Sequence, residues 1–190
     1  MTRTQFLIQL INDRKLKRFA EIGVYKGKTC RTILKNCPSL EIYWAVDSWL
    51  EYTKLGFENP TFKQGLLTQE QWDQMYIRNC LDMHYFPALK VFRGTLLQVA
   101  WLFRGRPNFD FIYIDGLHDK ESVLADIAAW KPLVVEGGLL GGHDYGKGHR
   151  KGHRVAEAVN EAFTKEQINL GPDGVWYVFI GSSTDRAADS

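Results

Sequence analysis

The amino-acid sequence predicts an α/β fold: a doubly wound, mainly parallel sheet of about seven strands, closed by an antiparallel hairpin at its C-terminal end. Apolar runs of strand length alternate with segments of helical spacing, the pattern of parallel strands joined by helical crossovers. Several of those runs end abruptly in acids, histidines and glycines, as in Asp110-Phe-Ile-Tyr-Ile-Asp115-Gly-Leu-His118 and Gly137-Gly-Leu-Leu-Gly-Gly-His143-Asp144-Tyr145. Polar chemistry therefore gathers at the carboxyl ends of the strands, the edge where open α/β sheets bind ligands. A Gly171-Pro-Asp-Gly174 turn between Gln167–Leu170 and Val175–Ile180 supplies the hairpin.

The elements follow in order. Thr4 to Lys17 carries Phe6, Leu7, Leu10, Ile11 and Leu16 at helical spacing, with Thr4 as cap, and reads as a packing helix of little functional content. Arg18-Phe-Ala-Glu-Ile-Gly23 is a strand running into a glycine, Val24-Tyr-Lys-Gly27 a loop, and Lys28 to Asn36 a helix. Leu40 to Asp47 is the second strand. Trp49 to Phe62, interrupted by Gly56, Asn59 and Pro60, lacks periodicity and a helix resumes over Gly65–His84, so 49–84 is expected as a lid or insertion. Ala88–Arg93 is the third strand, and Thr95 caps a helix over Leu96–Phe103. The turn Arg104-Gly-Arg-Pro107 enters the fourth strand, and Asp119–Lys131 is the crossover to the fifth. A helix over Val155–Thr164 precedes the hairpin, and 181–190 reads as a flexible tail.

At 190 residues the chain is expected to form one domain over 1–180 and to bury roughly 70% of its unfolded surface without staples. A net charge of +2, from 24 basic and 22 acidic residues, gives no global reason for a polyanion partner, so nucleic acid is not expected. The basic run Gly146–Arg154 suits a solvated turn, a loop over the site or a contact for an anionic substrate. Cys30, Cys37 and Cys80 are odd in number and lack metal-like spacing, which suits a reducing compartment. With no signal-peptide layout and no apolar run near the ~20 residues that span a bilayer, a cytoplasmic protein without a membrane partner is expected. The aromatics Trp49, Tyr52, Phe57 and Phe62 suit a substrate lid, core plugs or a contact in a homo-oligomer.

The first glycine loop narrows the ligand. It reads Glu21-Ile-Gly23-Val-Tyr25-Lys-Gly27 and lacks the middle glycine that lets a backbone approach a pyrophosphate. Glu21 would repel a pyrophosphate but accept hydrogen bonds from an ammonium. A ligand with a carboxylate for the helix N-terminus, an ammonium for Glu21 and a nucleoside for the second strand satisfies all three features. S-adenosylmethionine carries those groups. Asp47 is then placed for both ribose hydroxyls, Ser48 or Trp49 for the edge of the adenine, and Gly94 and Thr95 for the vicinity of the base.

Taken in order, Glu21-x-Gly23-x-x-x-Gly27, Asp47, Arg93-Gly94, Phe111-Ile-Tyr-Ile-Asp115-Gly-x-His118 and Gly137-Gly-x-x-x-x-His143-Asp144 resemble class I S-adenosylmethionine-dependent methyltransferases. The nearest kind is the small metal-dependent O-methyltransferases of the macrocin and catechol type, with a Rossmann-like fold, and the resemblance spans roughly residues 17 to 180. It implies that Asp115 lies beside the transferable methyl group and that Asp115, His143 and Asp144 form a divalent-metal site. His143 departs from the all-oxygen pattern of that family, which leaves open Mg²⁺, an ion that accepts imidazole, or no metal.

With a metal, the ion would bind a substrate hydroxyl and lower its pKa. Without one, His118 or His143 becomes the expected general base. The function expected is methyl transfer to a small-molecule acceptor, at a hydroxyl oxygen. A nicotinamide-dependent oxidoreductase of the same topology is the first rival, disfavoured by the missing glycine; a non-catalytic nucleoside-binding protein is the second. Asp47 and Asp115 as strand-end turn formers, Glu21 as a structural carboxylate, His118 as a helix cap and His143 as a sheet-edge hydrogen-bonding group are the bland alternatives.

Overall fold

A computed structural model describes residues 1–56, 63–105, 107–146 and 154–181. Its strands are β1 (Arg18–Ile22), β2 (Ile42–Asp47), β3 (Leu89–Arg93), β4 (Phe109–Ile114), β5 (Val134–Gly142), β6 (Asn169–Leu170) and β7 (Trp176–Phe179). They form one sheet in the order β3-β2-β1-β4-β5-β7-β6. The first five are parallel; β7 runs antiparallel between β5 and the short edge strand β6. The expected doubly wound sheet with its terminal hairpin is the observed one.

Strand periodicity decides which helix lies where. On β1, Phe19 and Glu21 face one side of the sheet and Ala20 and Ile22 the other. The first side is covered by α1 (Arg3–Asp13), α2 (Lys28–Asn36) and α3 (Gln69–Asp82), over a core that includes Leu7, Ile11, Ile33, Tyr43, Trp72 and Phe111. The second side is covered by α4 (Leu96–Leu102), α5 (Lys120–Trp130) and α6 (Val155–Ala162), over Val46, Val99, Ile112, Ile127, Ala158 and Trp176.

Helix starts follow side-chain caps. The first helix begins at Arg3 rather than after Thr4, because Thr2 has Gln5 three residues on and the two close a reciprocal capping box. Thr4 would face Leu7 at that position, which has no group to return. Thr95 caps α4 with Gln98, and Asp119 caps α5 through the Ser122 amide, as their sequences require. Within the stretch 49–84, residues 57–62 lie outside the described residues, while α3 buttresses the first glycine loop: the Asn79 side-chain amide donates to the Tyr25 carbonyl at 3.2 Å. Residues 106, 147–153 and 182–190 also lie outside the described residues, among them most of the basic run and of the expected tail.

The parallel ladder continues one residue past the strands. The amides of Gly94, Gly23, Asp115 and His143 donate to the carbonyls of Asp47, Val46, Ile22 and Ile114, at 3.0, 2.8, 2.7 and 3.1 Å. These bonds align the four strand ends in one row along the carboxyl edge.

One core residue departs from the apolar pattern. Asp126, on the buried face of α5 beside Val123, Ile127 and Trp130, lies under Gly116, and its Oδ2 has no hydrogen-bond partner among the described residues. Burial pushes this carboxyl up to about 7. Its folded pKa exceeds its unfolded one, so its contribution to stability is full below pH ~4 and is lost as the pH rises through about 7. A shift of that size corresponds to ~4 kcal/mol. Urea unfolding at pH 5 and pH 8 is expected to show a clear loss of stability at the higher pH, and Asp126→Asn should shrink that loss; an unchanged difference would assign it to other groups.

Candidate functional site

Asp47 organises the glycine loop. Its Oδ2 accepts the amides of Val24 and Tyr25, both at 2.8 Å, and its Oδ1 accepts the Trp49 amide at 2.9 Å. Burial raises its pKa, against three amides that favour the charged form. Both loop glycines are dictated by contact as well as conformation. Gly23, at φ +95°, lies so close to β4 that a Cβ would sit 2.2 Å from the Asp115 carbonyl oxygen. Gly27 heads α2 at φ +68°, where a Cβ would meet the Asn79 side chain at 1.9 Å.

Glu21 lies at the floor of this loop, almost wholly buried, and accepts the Tyr43 hydroxyl at 2.7 Å. Burial raises its pKa to about 8, although the Tyr43 bond pulls the other way. It is therefore mostly protonated at neutral pH, and an incoming cation would restore its charge. The hydroxyl of buried Tyr113, on β4, has no partner among the described residues.

A second cluster occupies the ends of β4 and β5. His118 Nε2 lies 3.0 Å from Asp144 Oδ2 and 3.7 Å from Asp115 Oδ1. His143 Nδ1 lies 3.2 Å from Asp144 Oδ1 and 3.5 Å from Asp115 Oδ1. Asp144 holds its position at φ +61°, a conformation that aspartate tolerates better than most residues. Burial would raise both carboxyls, yet the two imidazoles, with Arg3 adding to the effect at Asp115, outweigh it and hold both well below the usual range. Burial likewise opposes charge on His118, but its bonds to Asp115 and Asp144 prevail and raise it to about 9.

That raised value favours the imidazolium at neutral pH, which disfavours His118 as the general base while no ion lies beside it. His143 is raised in the same direction by the same pair of acids, against its burial. Asp115, His118 and Asp144 each offer a ligand atom within 4.8 Å of one another, so His118 joins the expected residues as a candidate ligand once it gives up its proton. Two carboxylates and an imidazole fit a divalent transition ion better than Mg²⁺.

His143 Nδ1 faces Arg3, the first residue of α1. Arg3 Nη1 donates to Asp115 Oδ2 at 2.6 Å and lies 2.8 Å from His143 Nδ1. The helix α1, expected to pack with little functional content, thus also brings a cation to the carboxylate cluster. The contact spans 112 residues of sequence, and the capping box that sets Arg3 at the helix start was its one local signal.

Trp49, expected beside a planar ligand, is fully buried, donates its Nε1–H to the Tyr25 carbonyl at 2.9 Å and packs on Tyr76. It shapes the loop from beneath. Ser48 is half-buried beside it, and Tyr25 packs edge-on against Trp72. Gly94 and Thr95 lie where β3 meets α4, with the Thr95 hydroxyl capping the helix. Glu21, Gly23, Tyr25, Gly27 and Asp47 thus gather around the first glycine loop, and Asp115, His118, His143 and Asp144 at the ends of β4 and β5, the two groups meeting where Gly23 touches the Asp115 backbone.

The model of a family described as a methyltransferase domain matches residues 20–145, about two thirds of the chain. The chain belongs to the methyltransferase-domain family. No protein of curated function matches this methyltransferase. Among solved structures, a Staphylococcus aureus protein described as a caffeoyl-CoA O-methyltransferase is similar at 14% identity and a TM-score of 0.63, over 95% of this chain and 84% of that one. An O-methyltransferase from Bacillus cereus, in complex with SAH, is similar at 15% identity and a TM-score of 0.56, over 94% and 82% of the two chains. TomG from Streptomyces achromogenes, an O-methyltransferase in complex with SAM, is similar at 13% identity and a TM-score of 0.57, over 94% and 80%. At these identities the likeness is one of fold.

The bonds of Asp47 make a prediction for this methyltransferase independent of any ligand. Asp47→Ala strands three amides and is expected to cost ~3 kcal/mol of stability in urea unfolding. Unchanged stability would show that water serves the loop amides equally well.

Proposed function

We propose that the chain transfers the methyl group of S-adenosylmethionine to a hydroxyl oxygen of a small-molecule acceptor. The observation that carries this reading is the close approach, through Gly23 and the Asp115 backbone, of a buried carboxyl bonded to a tyrosine hydroxyl, Glu21, and a charged cluster at Asp115 and Asp144. The family match supports methyl transfer, and the SAH and SAM complexes of two structurally similar O-methyltransferases support the cofactor.

In this reading S-adenosylmethionine supplies an electrophilic methyl on a sulfonium. Glu21 accepts the ammonium, the N-terminus of α2 beyond Gly27 takes the carboxylate, and Asp47, already bonded to the Val24, Tyr25 and Trp49 amides, accepts from a ribose hydroxyl at Oδ1. Gly94 and Thr95 border the base. Asp115 and Asp144 orient the acceptor hydroxyl and stabilise positive charge beside it. Holding the acceptor in line is the main contribution, since an oriented pair can recover ~7–11 kcal/mol of barrier. A divalent ion held by Asp115, His118 and Asp144 would add Lewis acidity at that hydroxyl.

Calorimetric titration of the purified protein tests the cofactor directly: S-adenosylmethionine and S-adenosylhomocysteine are expected to bind in the micromolar range and NAD⁺ not at all. Binding of NAD⁺ alone would instead favour the oxidoreductase reading. Glu21 adds a pH signature. Because its carboxyl must lose a proton to hold an ammonium, affinity for S-adenosylmethionine should rise by up to ~tenfold per pH unit from pH 6 and level off above its pKa of about 8. Glu21→Gln should bind weakly with a flat profile; an unchanged slope would remove Glu21 from the ammonium site.

A further inference from the structure

We infer that Arg3 and a divalent cation are alternative occupants of one position beside Asp115, so that α1 carries the site's own cation. The inference rests on the reading of Asp115, His118 and Asp144 as metal ligands and adds to it a competitor from this chain. Arg3 Nη1 lies 2.6 Å from Asp115 Oδ2 and 2.8 Å from His143 Nδ1, and these are the contacts of its guanidinium among the described residues. The side chain is 28% exposed, so it has a route out to solvent.

Geometry makes the two occupants exclusive. An ion at the triad must take lone pairs of Asp115, and the three ligand atoms lie within 4.8 Å of one another, which leaves the ion within a few ångströms of Asp115 Oδ2 and therefore of Nη1. A divalent ion and a guanidinium that close, away from bulk water, repel strongly. Arg3 also satisfies Asp115 with a charge-assisted bond, the kind that is costly to leave unmade. The exchange needs no refolding of the sheet. Arg3 is the first residue of α1, and the capping box that fixes the helix start uses Thr2 and Gln5, leaving the guanidinium free to swing away without undoing it. When Arg3 withdraws, Asp115 Oδ2 loses its charge-assisted donor while His143 keeps its approaches to Asp144 and Asp115.

The test is Mn²⁺ binding to the full chain, followed by calorimetry and by the electron paramagnetic resonance of free Mn²⁺. Arg3→Gln is expected to bind Mn²⁺ at least ~tenfold more tightly than the wild type, the repulsion being gone. Arg3→Lys, which keeps the charge, should stay closer to the wild type than to Arg3→Gln, and Asp144→Asn should weaken binding in either background. Equal or weaker Mn²⁺ affinity in Arg3→Gln, or no Mn²⁺ binding to any of these proteins, overturns the inference. A second readout uses the unaltered protein in case Arg3→Gln folds poorly: the Nε–H resonance of Arg3 should move to the position of a free arginine as Zn²⁺ saturates, and a stationary resonance overturns the inference. S-adenosylhomocysteine titrated into the same samples keeps the two readings apart, because its failure to bind would strike the cofactor assignment and leave the Mn²⁺ comparison to decide this one.

Discussion

The site depends on the contact between Gly23 and the backbone of Asp115. β1 and β4 are neighbours, and the loop leaving β1 crosses so near the end of β4 that no side chain fits between them. That approach brings the glycine loop beside the end of β4 at the place where the strand order reverses. The loop then has to turn at once. Asp47, reaching from β2, holds the turn by taking the Val24 and Tyr25 amides, while Trp49 and Asn79 hold the Tyr25 carbonyl. Three strands and α3 thus fix a loop of five residues.

At these strand ends, the acids are set in opposite states by their partners. Glu21 has a tyrosine hydroxyl for company and is driven toward its neutral form by burial. Asp115 and Asp144 are buried too, but two imidazoles keep them charged and Arg3 assists at Asp115. Glu21 and the pair Asp115–Asp144 therefore differ in charge although all three are acids at neighbouring strand ends.

Much of this was legible in the sequence, for physical reasons. The strand, glycine loop and helix over 18–36 declare themselves because local sterics and periodicity write them, and the acids at the strand ends follow from topology. The parts that stayed hidden are set by tertiary packing. Nothing near Trp49 says that its ring turns inward, and which imidazole approaches which oxygen of Asp115 and Asp144 depends on rotamers that local sequence does not write. Arg3 is the sharpest case: the amphipathic face of α1 predicts that the helix packs, but not that its first residue docks at the far edge of the sheet. The caps show the same division, since a reciprocal pair such as Thr2 and Gln5 can be read locally once both members are sought.

The antiparallel β7 carries a consequence for how the molecule is made. It pairs with Leu139–Gly142 of β5, closing what would otherwise be an open, apolar edge in the middle of the sheet. During synthesis that edge stays unpaired until residues 176–179 have emerged from the ribosome. Until then β5 offers an uncapped row of amides and carbonyls to any other strand. A chain whose β7 has not docked is thus open to misassociation along Leu139–Gly142, although β1 to β5 are already made.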